Sequence, residues 1–187
     1  LVASLAGFDI IMAMRERTPF GPALFSRLPE LKLLVTSGMR NAAIDLEAAT
    51  EHDVLVCGTG GRFLGTAEHT WALILACLRR IPAEDHAVRQ GHWQLGLGEE
   101  LEGKTLGVIG LGRIGSRVAA VGLAFGARVI AWSQNLTPER ADEAGAELVS
   151  KETLLRESDV VTIHLVLSDR TRGLVGPAEL ALMKSSA

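Results

Sequence analysis

The 187 residues include 48% hydrophobic and 22% charged side chains, which is enough apolar material for a buried core and argues against a disordered chain. Formal net charge is -3, and the 19 Lys and Arg residues are scattered rather than gathered in a stripe, so nucleic acid is not expected as a partner. The longest fully apolar run, residues 71–78, is far shorter than the roughly 20 residues of a membrane-spanning helix, so no membrane association is expected either.

In chain order, residues 8–14, 31–36 and 53–57 read as strands rich in Ile, Leu and Val, with short helices over 22–28 and 43–50 between them. That alternation implies a parallel sheet with right-handed crossovers. Gly58, Gly60, Gly61 and Gly65 then mark a loop and a hinge, placing a domain boundary near residue 64, with one partial domain over 1–64 and another over 65–187. Residues 66–92 read as one long helix, apolar on nearly every side over 71–78 and therefore expected to be buried in its first half. A second alternation follows: strands at 105–110, 128–132, 147–149 and 160–165, and helices at 113–125, 138–144, 152–156 and 177–184. Thr137 before Pro138 predicts an N-cap followed by proline in the first turn, and Gly126 and Gly145 stand where helices should stop.

Cys57 and Cys77 sit in apolar stretches without C-x-x-C spacing, which predicts reduced core thiols in a cytoplasmic protein. The five histidines form no pair at i, i+4, so no protein-held metal is expected. The chain opens Leu1-Val2-Ala3-Ser4, with no initiator Met and no signal-peptide pattern, and reads as starting partway through a longer protein.

The segment Gly110-Leu111-Gly112-Arg113-Ile114-Gly115 places G-x-G-x-x-G after an apolar strand and at the mouth of an amphipathic helix. Gly110 allows the tight turn, Gly112 lets the backbone approach a pyrophosphate, and Gly115 lets the helix pack closely on the strand. Free N–H groups and the positive end of the helix dipole then favour the diphosphate. An acid that would hold the adenosine ribose is expected about 20 residues on. The second strand instead ends Ile130-Ala131-Trp132-Ser133-Gln134-Asn135, and Ser133 takes the expected place. Nothing there repels a 2'-phosphate, so discrimination between NAD and NADP is expected to be weak, with Arg113 and Arg140 available as phosphate partners.

Together, residues 101–115, Phe125-Gly126-Ala127, Thr66-Ala67-Glu68-His69-Thr70, residues 158–165 and 171–174 resemble the D-isomer-specific 2-hydroxyacid dehydrogenases, the family that includes glyoxylate/hydroxypyruvate reductases and phosphoglycerate dehydrogenases. The resemblance covers nearly the whole chain. It implies an α/β architecture: a Rossmann-type parallel-sheet nucleotide-binding domain plus a smaller flavodoxin-like substrate domain, both incomplete here, with the active site in the cleft between the two. It implies NAD or NADP as cofactor, a small 2-hydroxy or 2-keto acid as substrate, and a homodimer joined through the helix over 66–92.

Residue by residue, the resemblance places the backbone of Arg113 and Ile114 on the pyrophosphate and Ser133 near the ribose. Leu165, Val166 and Thr171 line the adenosine side, and Thr70 lies near the nicotinamide. His164 matches a cofactor-proximal position, although a histidine ending a buried strand is often satisfied by backbone partners instead. The family's substrate loop usually reads G-x-G-x-D-N-I-D, whereas this chain has Gly38-Met39-Arg40-Asn41-Ala42-Ala43-Ile44-Asp45. Met39 and Arg40 are the substrate-side candidates; Arg40 either makes a charge-assisted contact with a carboxylate or is a solvated surface arginine.

The family's general acid/base histidine, its carboxylate partner and its substrate arginine all match positions beyond Ala187. The 187 residues are therefore expected to bind cofactor without turning over a 2-hydroxy acid. Two other readings stay open: a non-catalytic, redox-sensing module of the same fold, and another Rossmann enzyme such as an adenosylhomocysteine hydrolase relative.

Overall fold

The computed structural model describes residues 1–61 and 64–187, and the chain folds as two compact units, Leu1–Arg62 and Phe63–Ala187. Two residues of the glycine-rich stretch over 58–65, Arg62 and Phe63, lie outside the described residues.

The first unit runs α1 (Val2–Leu5), β1 (Ile10–Ala13), a 3-10 turn at Arg15–Arg17, α2 (Pro22–Phe25), β2 (Leu33–Thr36), α3 (Leu46–Glu51) and β3 (Leu55–Gly58). The strands are parallel, in the order β1-β2-β3. They are shorter than the apolar runs suggest because only four residues of each stay in register with a neighbour. Helix α1 and the 3-10 turn span too few residues to print a helical period, so neither is legible in the sequence. Asp45 caps α3, its Oδ1 accepting from the Ala48 N–H at 3.0 Å.

Alternation along these strands sends Ile11, Ala13 and Leu34 into a core with Phe20, Phe25, Leu28, Leu31, Ile44, Ala48, Ala49 and Val54. The other face of the sheet carries two registered apolar rows, Ile10–Leu33–Leu55 and Met12–Val35–Cys57. Met12 and Leu55 are 71% and 64% exposed there. Cys57 is exposed on this open face. The expectation of two core thiols is thus wrong for Cys57, because the strand period of two sends it to the side opposite the core.

The second unit contains α4 (Leu64–Leu78), α5 (Ile81–Arg89), β4 (Thr105–Ile109), α6 (Gly115–Ala124), β5 (Arg128–Trp132), α7 (Pro138–Glu143), β6 (Glu147–Leu148), α8 (Lys151–Glu157), β7 (Val160–Ile163) and α9 (Pro177–Leu180). Its parallel strands lie in the order β6-β5-β4-β7, the doubly wound arrangement in which the first strand sits centrally. All five residues of β4 are buried. Leu106 and Val108 face a core shared with α4, α6 and α7, while Ile109 joins Ile130, Leu154 and Leu155 on the other side. Thr137 caps α7 and Ser150 caps α8, the latter accepting from the Thr153 N–H at 3.0 Å.

The single helix expected over 66–92 is two helices. Pro82 has no N–H and its ring would collide with the Leu78 carbonyl of a continuing helix, so the chain breaks at Arg80, which takes a left-handed φ of 54°. Nor is the first half buried all round. Ala67, Trp71 and Ile74 form one buried stripe, with the Trp71 ring 5.3 Å from that of Phe125, while Leu73 and Cys77 are exposed. The second thiol is therefore also outside the core.

Asp159 ties the N-terminal ends of β4 and β7 together. Its Oδ2 accepts from the Thr105 N–H at 2.8 Å and its Oδ1 from Lys184 Nζ at 2.7 Å. Burial alone would raise the carboxyl pKa, but the bonds from Lys184 and Thr105, with the charges of Lys184 and Lys104, hold it below the usual carboxylate value. A pKa depressed by folding contributes stability above the unfolded value, lost as pH falls through the folded one, here below about pH 4. Asp159→Asn is expected to cost about 1 to 2 kcal/mol at neutral pH and to flatten the acid limb of the stability curve. Urea unfolding from pH 2.5 to 7 measures both, and parallel curves for the two proteins would show that Asp159 carries no such term.

Candidate functional site

The second unit's sheet reverses direction of winding between β4 and β7, and open α/β sheets bind ligands outside the carboxyl ends of the strands at such a point. The glycine turn lies there. Gly110 has a φ of 99°, available at low cost only to glycine, and a Cβ on it would come within 3 Å of the His164 carbonyl and the Leu165 side chain. Its N–H donates to the Trp132 carbonyl at 2.9 Å, which sets Ser133 beside the turn, and the His164 N–H donates to the Ile109 carbonyl at 2.8 Å. Residues from three strand ends, β4, β5 and β7, thus converge.

The other two glycines of the motif meet opposite demands. A Cβ on Gly115 would overlap the Gly110 carbonyl, so this residue sets how closely α6 starts against the strand. A Cβ on Gly112 would meet nothing within 4 Å; the space above it is open. No side chain caps α6, whereas Asp45, Thr137 and Ser150 cap α3, α7 and α8. Among the described residues the N–H groups of Gly112 and Ile114 meet no acceptor. A helix start with open N–H groups, a backbone that can be approached and no carboxylate beside it has the chemistry of a pyrophosphate cradle, so the residues present fit a dinucleotide.

His164 is half-buried, and burial pushes its imidazole pKa down, which keeps it neutral at physiological pH. Its Nε2 lies 2.9 Å from Thr162 Oγ1, so both its backbone and its ring have local partners. Leu165 is half-buried beside Gly110, and Val166 is 84% exposed. The Thr171 hydroxyl is engaged within its own loop, donating to the Val166 carbonyl at 2.8 Å and accepting from the Ser168 N–H at 2.8 Å. It shapes the segment that follows β7. Thr70 Oγ1 donates to the Thr66 carbonyl at 2.9 Å, one turn back on α4.

In the first unit, Met39 and Arg40 are exposed on the loop after β2, and Arg40 makes no ion pair among the described residues. Sequence reading missed what builds that loop. Asn41 Nδ2 donates to the Arg15 carbonyl at 2.8 Å and to Thr36 Oγ1 at 2.9 Å, while its Oδ1 accepts from the Ala43 N–H at 3.0 Å. The Arg15 N–H donates to Ser37 Oγ at 3.1 Å and the Gly38 N–H to Thr59 Oγ1 at 3.1 Å. Arg15 holds a left-handed φ of 54°, and its guanidinium lies against Gly38. Arg15 and Arg40 therefore stand at the carboxyl ends of β1 and β2. The signal for Arg15 was its place directly after an apolar strand, where α/β sheets bind ligands.

Among the described residues, no group of three or more His, Cys, Asp or Glu side chains is placed to hold a metal, and no helix is long and apolar enough to cross a membrane.

Residues 71–187 match the family model described as D-isomer specific 2-hydroxyacid dehydrogenase, NAD binding domain. Glyoxylate reductase of Aeropyrum pernix is 48% identical over 174 residues, 88% of this chain and 52% of that protein. D-3-phosphoglycerate dehydrogenase of Archaeoglobus fulgidus is 37% identical over 187 residues, 98% of this chain and 35% of that protein. Among solved structures, phosphoglycerate oxidoreductase from Vibrio cholerae matches with a TM-score of 0.91 at 37% identity, covering 98% of this chain and 60% of that one. D-lactate dehydrogenase from Aquifex aeolicus, complexed with NAD and lactic acid, matches with a TM-score of 0.81 at 32% identity, covering 98% of this chain and 56% of that one. The chain thus spans between about a third and three-fifths of the length of these relatives. By its sequence and by the parallel α/β fold around its glycine turn, it belongs to the D-isomer-specific 2-hydroxyacid dehydrogenase family.

Proposed function

We propose that this chain binds a nicotinamide dinucleotide, NAD or NADP, and serves hydride transfer between that cofactor and C2 of a small 2-hydroxy or 2-keto acid in a D-2-hydroxyacid dehydrogenase. The observation that carries the reading is the uncapped start of α6 at the switch point between β4 and β7, with open space above Gly112. Residues 65–187 form the nucleotide-binding domain and residues 1–64 part of the substrate domain, whose open apolar sheet face requires cover by further structure.

Gly110, Gly112, Arg113, Ile114 and Gly115 hold the pyrophosphate through backbone groups, and Ser133 hydrogen-bonds the adenosine ribose. Leu165, Val166 and Thr171 border the adenosine, His164 abuts the cofactor as a neutral imidazole, and Thr70 faces the nicotinamide. When bound, the nicotinamide ring supplies the hydride donor and acceptor at its C4. Met39 and Arg40 contact the substrate, Arg40 meeting its carboxylate, while the neighbouring Arg15 guanidinium is paired with Glu16 at 3.7 Å. The hydroxyl proton needs a general acid/base. Of the five histidines, His52 Nδ1 lies 2.8 Å from the Ala48 carbonyl and His164 bonds Thr162. Among the described residues none of the five pairs with a carboxylate. These 187 residues by themselves bind cofactor but do not turn over.

The same unit offers a surface for a second copy of the chain. The Glu84 carboxylate accepts from the N–H groups of Leu95 and Gly96 at 3.0 to 3.2 Å, and the Glu99 N–H donates to the Leu78 carbonyl at 2.8 Å. These bonds fix the segment after α5 against the two helices while leaving Trp93 84% and Leu97 86% exposed. Together with the helices over 66–92, whose Leu73 is also exposed, these outward apolar side chains mark an association surface, and self-association through it makes the homodimer.

Gly112→Val is expected to abolish NAD(H) and NADP(H) binding while leaving the thermal midpoint within about 2 °C, because its side chain enters only the space the phosphate needs. Nucleotide fluorescence titration with parallel melting tests this, and unchanged affinity removes the assignment of the turn. Light scattering should give a dimer that Trp93→Glu with Leu97→Glu converts to monomer; a monomeric parent protein refutes the interface. Assays with glyoxylate and hydroxypyruvate should give no turnover from a mass-verified 187-residue chain, and robust turnover would overturn the account of its histidines.

A further inference from the structure

We propose that the dinucleotide taken by this chain is NADP(H), with the 2'-phosphate lodged at the mouth of a groove between α6 and α7 and paired with Arg140. The inference rests on the dinucleotide reading of the glycine turn and goes beyond it by naming the residue that selects the cofactor. The groove encloses about 560 Å³ and is lined by Leu111, Ser116, Ala120, Leu123 and the α7 residues Arg140 and Glu143, among others. It opens beside the turn, since Leu111 belongs to the turn and Ser116 to the first turn of α6.

Three observations favour an anionic occupant at the mouth of the groove. First, the end of β5 carries Ser133, Gln134 and Asn135 where a carboxylate would accept from the ribose hydroxyls and repel a 2'-phosphate. Ser133 lies beside Gly110, because Trp132 is hydrogen-bonded to it, so the vacant charge position is adjacent to the cradle. Second, the Arg140 guanidinium makes no ion pair or side-chain hydrogen bond among the described residues, although Arg89, Arg128 and Arg156 are each paired with a carboxylate. A planar cation lining a groove next to a phosphate turn has the geometry for bidentate phosphate recognition.

Third, none of the nearby acids is ion-paired with Arg140 among the described residues. Glu139 is held by the backbone N–H of its own helix start and by Thr137, which lower its pKa. Asp142 is two residues from Arg140, on a different side of the helix. Glu143, three residues on from Arg140 and on the same side of α7, lines the same groove nearer the C-terminal end of the helix without pairing with Arg140. The 2'-phosphate of an adenosine whose pyrophosphate sits on Gly112 thus meets Arg140, with Ser116 lining the same groove and Ser133 at the end of β5 beside Gly110.

The test is equilibrium titration of the 187-residue chain with NADPH and NADH, and competition of bound NADPH by 2',5'-ADP against 5'-AMP. NADPH is expected to bind at least tenfold tighter than NADH, and 2',5'-ADP to compete at least tenfold better than 5'-AMP. Arg140→Ala, at an exposed position and therefore compatible with folding, should bring the NADPH to NADH ratio within threefold of unity, and Ser133→Asp should reverse it. NADH binding as tightly as NADPH, or a ratio unchanged in Arg140→Ala, overturns the proposal while leaving the turn as a dinucleotide site. Failure of both nucleotides to bind brings down the reading of the turn and this inference with it.

Discussion

The burial of β4 on both faces is the constraint on which the second unit depends. A strand whose five residues are all shielded from water must have an apolar layer on each side and a paired strand at each edge. Leu106, Val108 and Ile109, none with measurable exposure, satisfy that requirement by dividing between two cores. Burial of each such side chain is worth about 1.5 to 3 kcal/mol. Because β4 is central, the turn that follows it emerges in the middle of the sheet edge, flanked by the ends of β5 and β7. The position of the candidate site is thus a by-product of core packing.

The turn itself reconciles close packing with an open surface within six residues. Gly115 is placed where a side chain has no room, and Gly112 where a side chain would meet nothing within 4 Å. Between them the start of α6 is left without a side-chain cap, a state that costs stability in a buried helix end and suits an anion that brings its own acceptors. His164, whose imidazole pKa is pushed down by burial, borders this region with its carbonyl against Gly110.

Apolar surface left outside the two cores follows a common logic. The rows Ile10–Leu33–Leu55 and Met12–Val35–Cys57 make one sheet face as hydrophobic as its buried side, and the segment carrying Trp93 and Leu97 is pinned by Glu84 with its apolar side chains outward. Each is ordered by backbone hydrogen bonds, so neither can collapse onto its own core. Both are apolar surface held outward on an ordered backbone, the kind of surface that marks association sites.

Features with a local cause were legible in the amino-acid sequence. The strand–turn–helix around Gly110, the caps at Thr137 and Ser150, and the alternation of strands and helices each depend on neighbours within a few positions, so period and punctuation sufficed to place them. Pro82 was legible too: it breaks the helix at Arg80, although the apolar run before it reads as continuing through to residue 92. What only tertiary structure decided is which face of an apolar element meets a core. Cys57 and Cys77 lie in apolar stretches and are nevertheless exposed, because their strand and helix turn other residues inward. The partnership of Arg15 with Ser37, Asn41 and Gly38, and the placing of Arg140 in a groove beside the turn, link residues more than twenty positions apart. A sequence states the propensity of each segment, but the direction in which a side chain points across a sheet or between helices is set by the packing of distant segments, which is known only once the chain has folded.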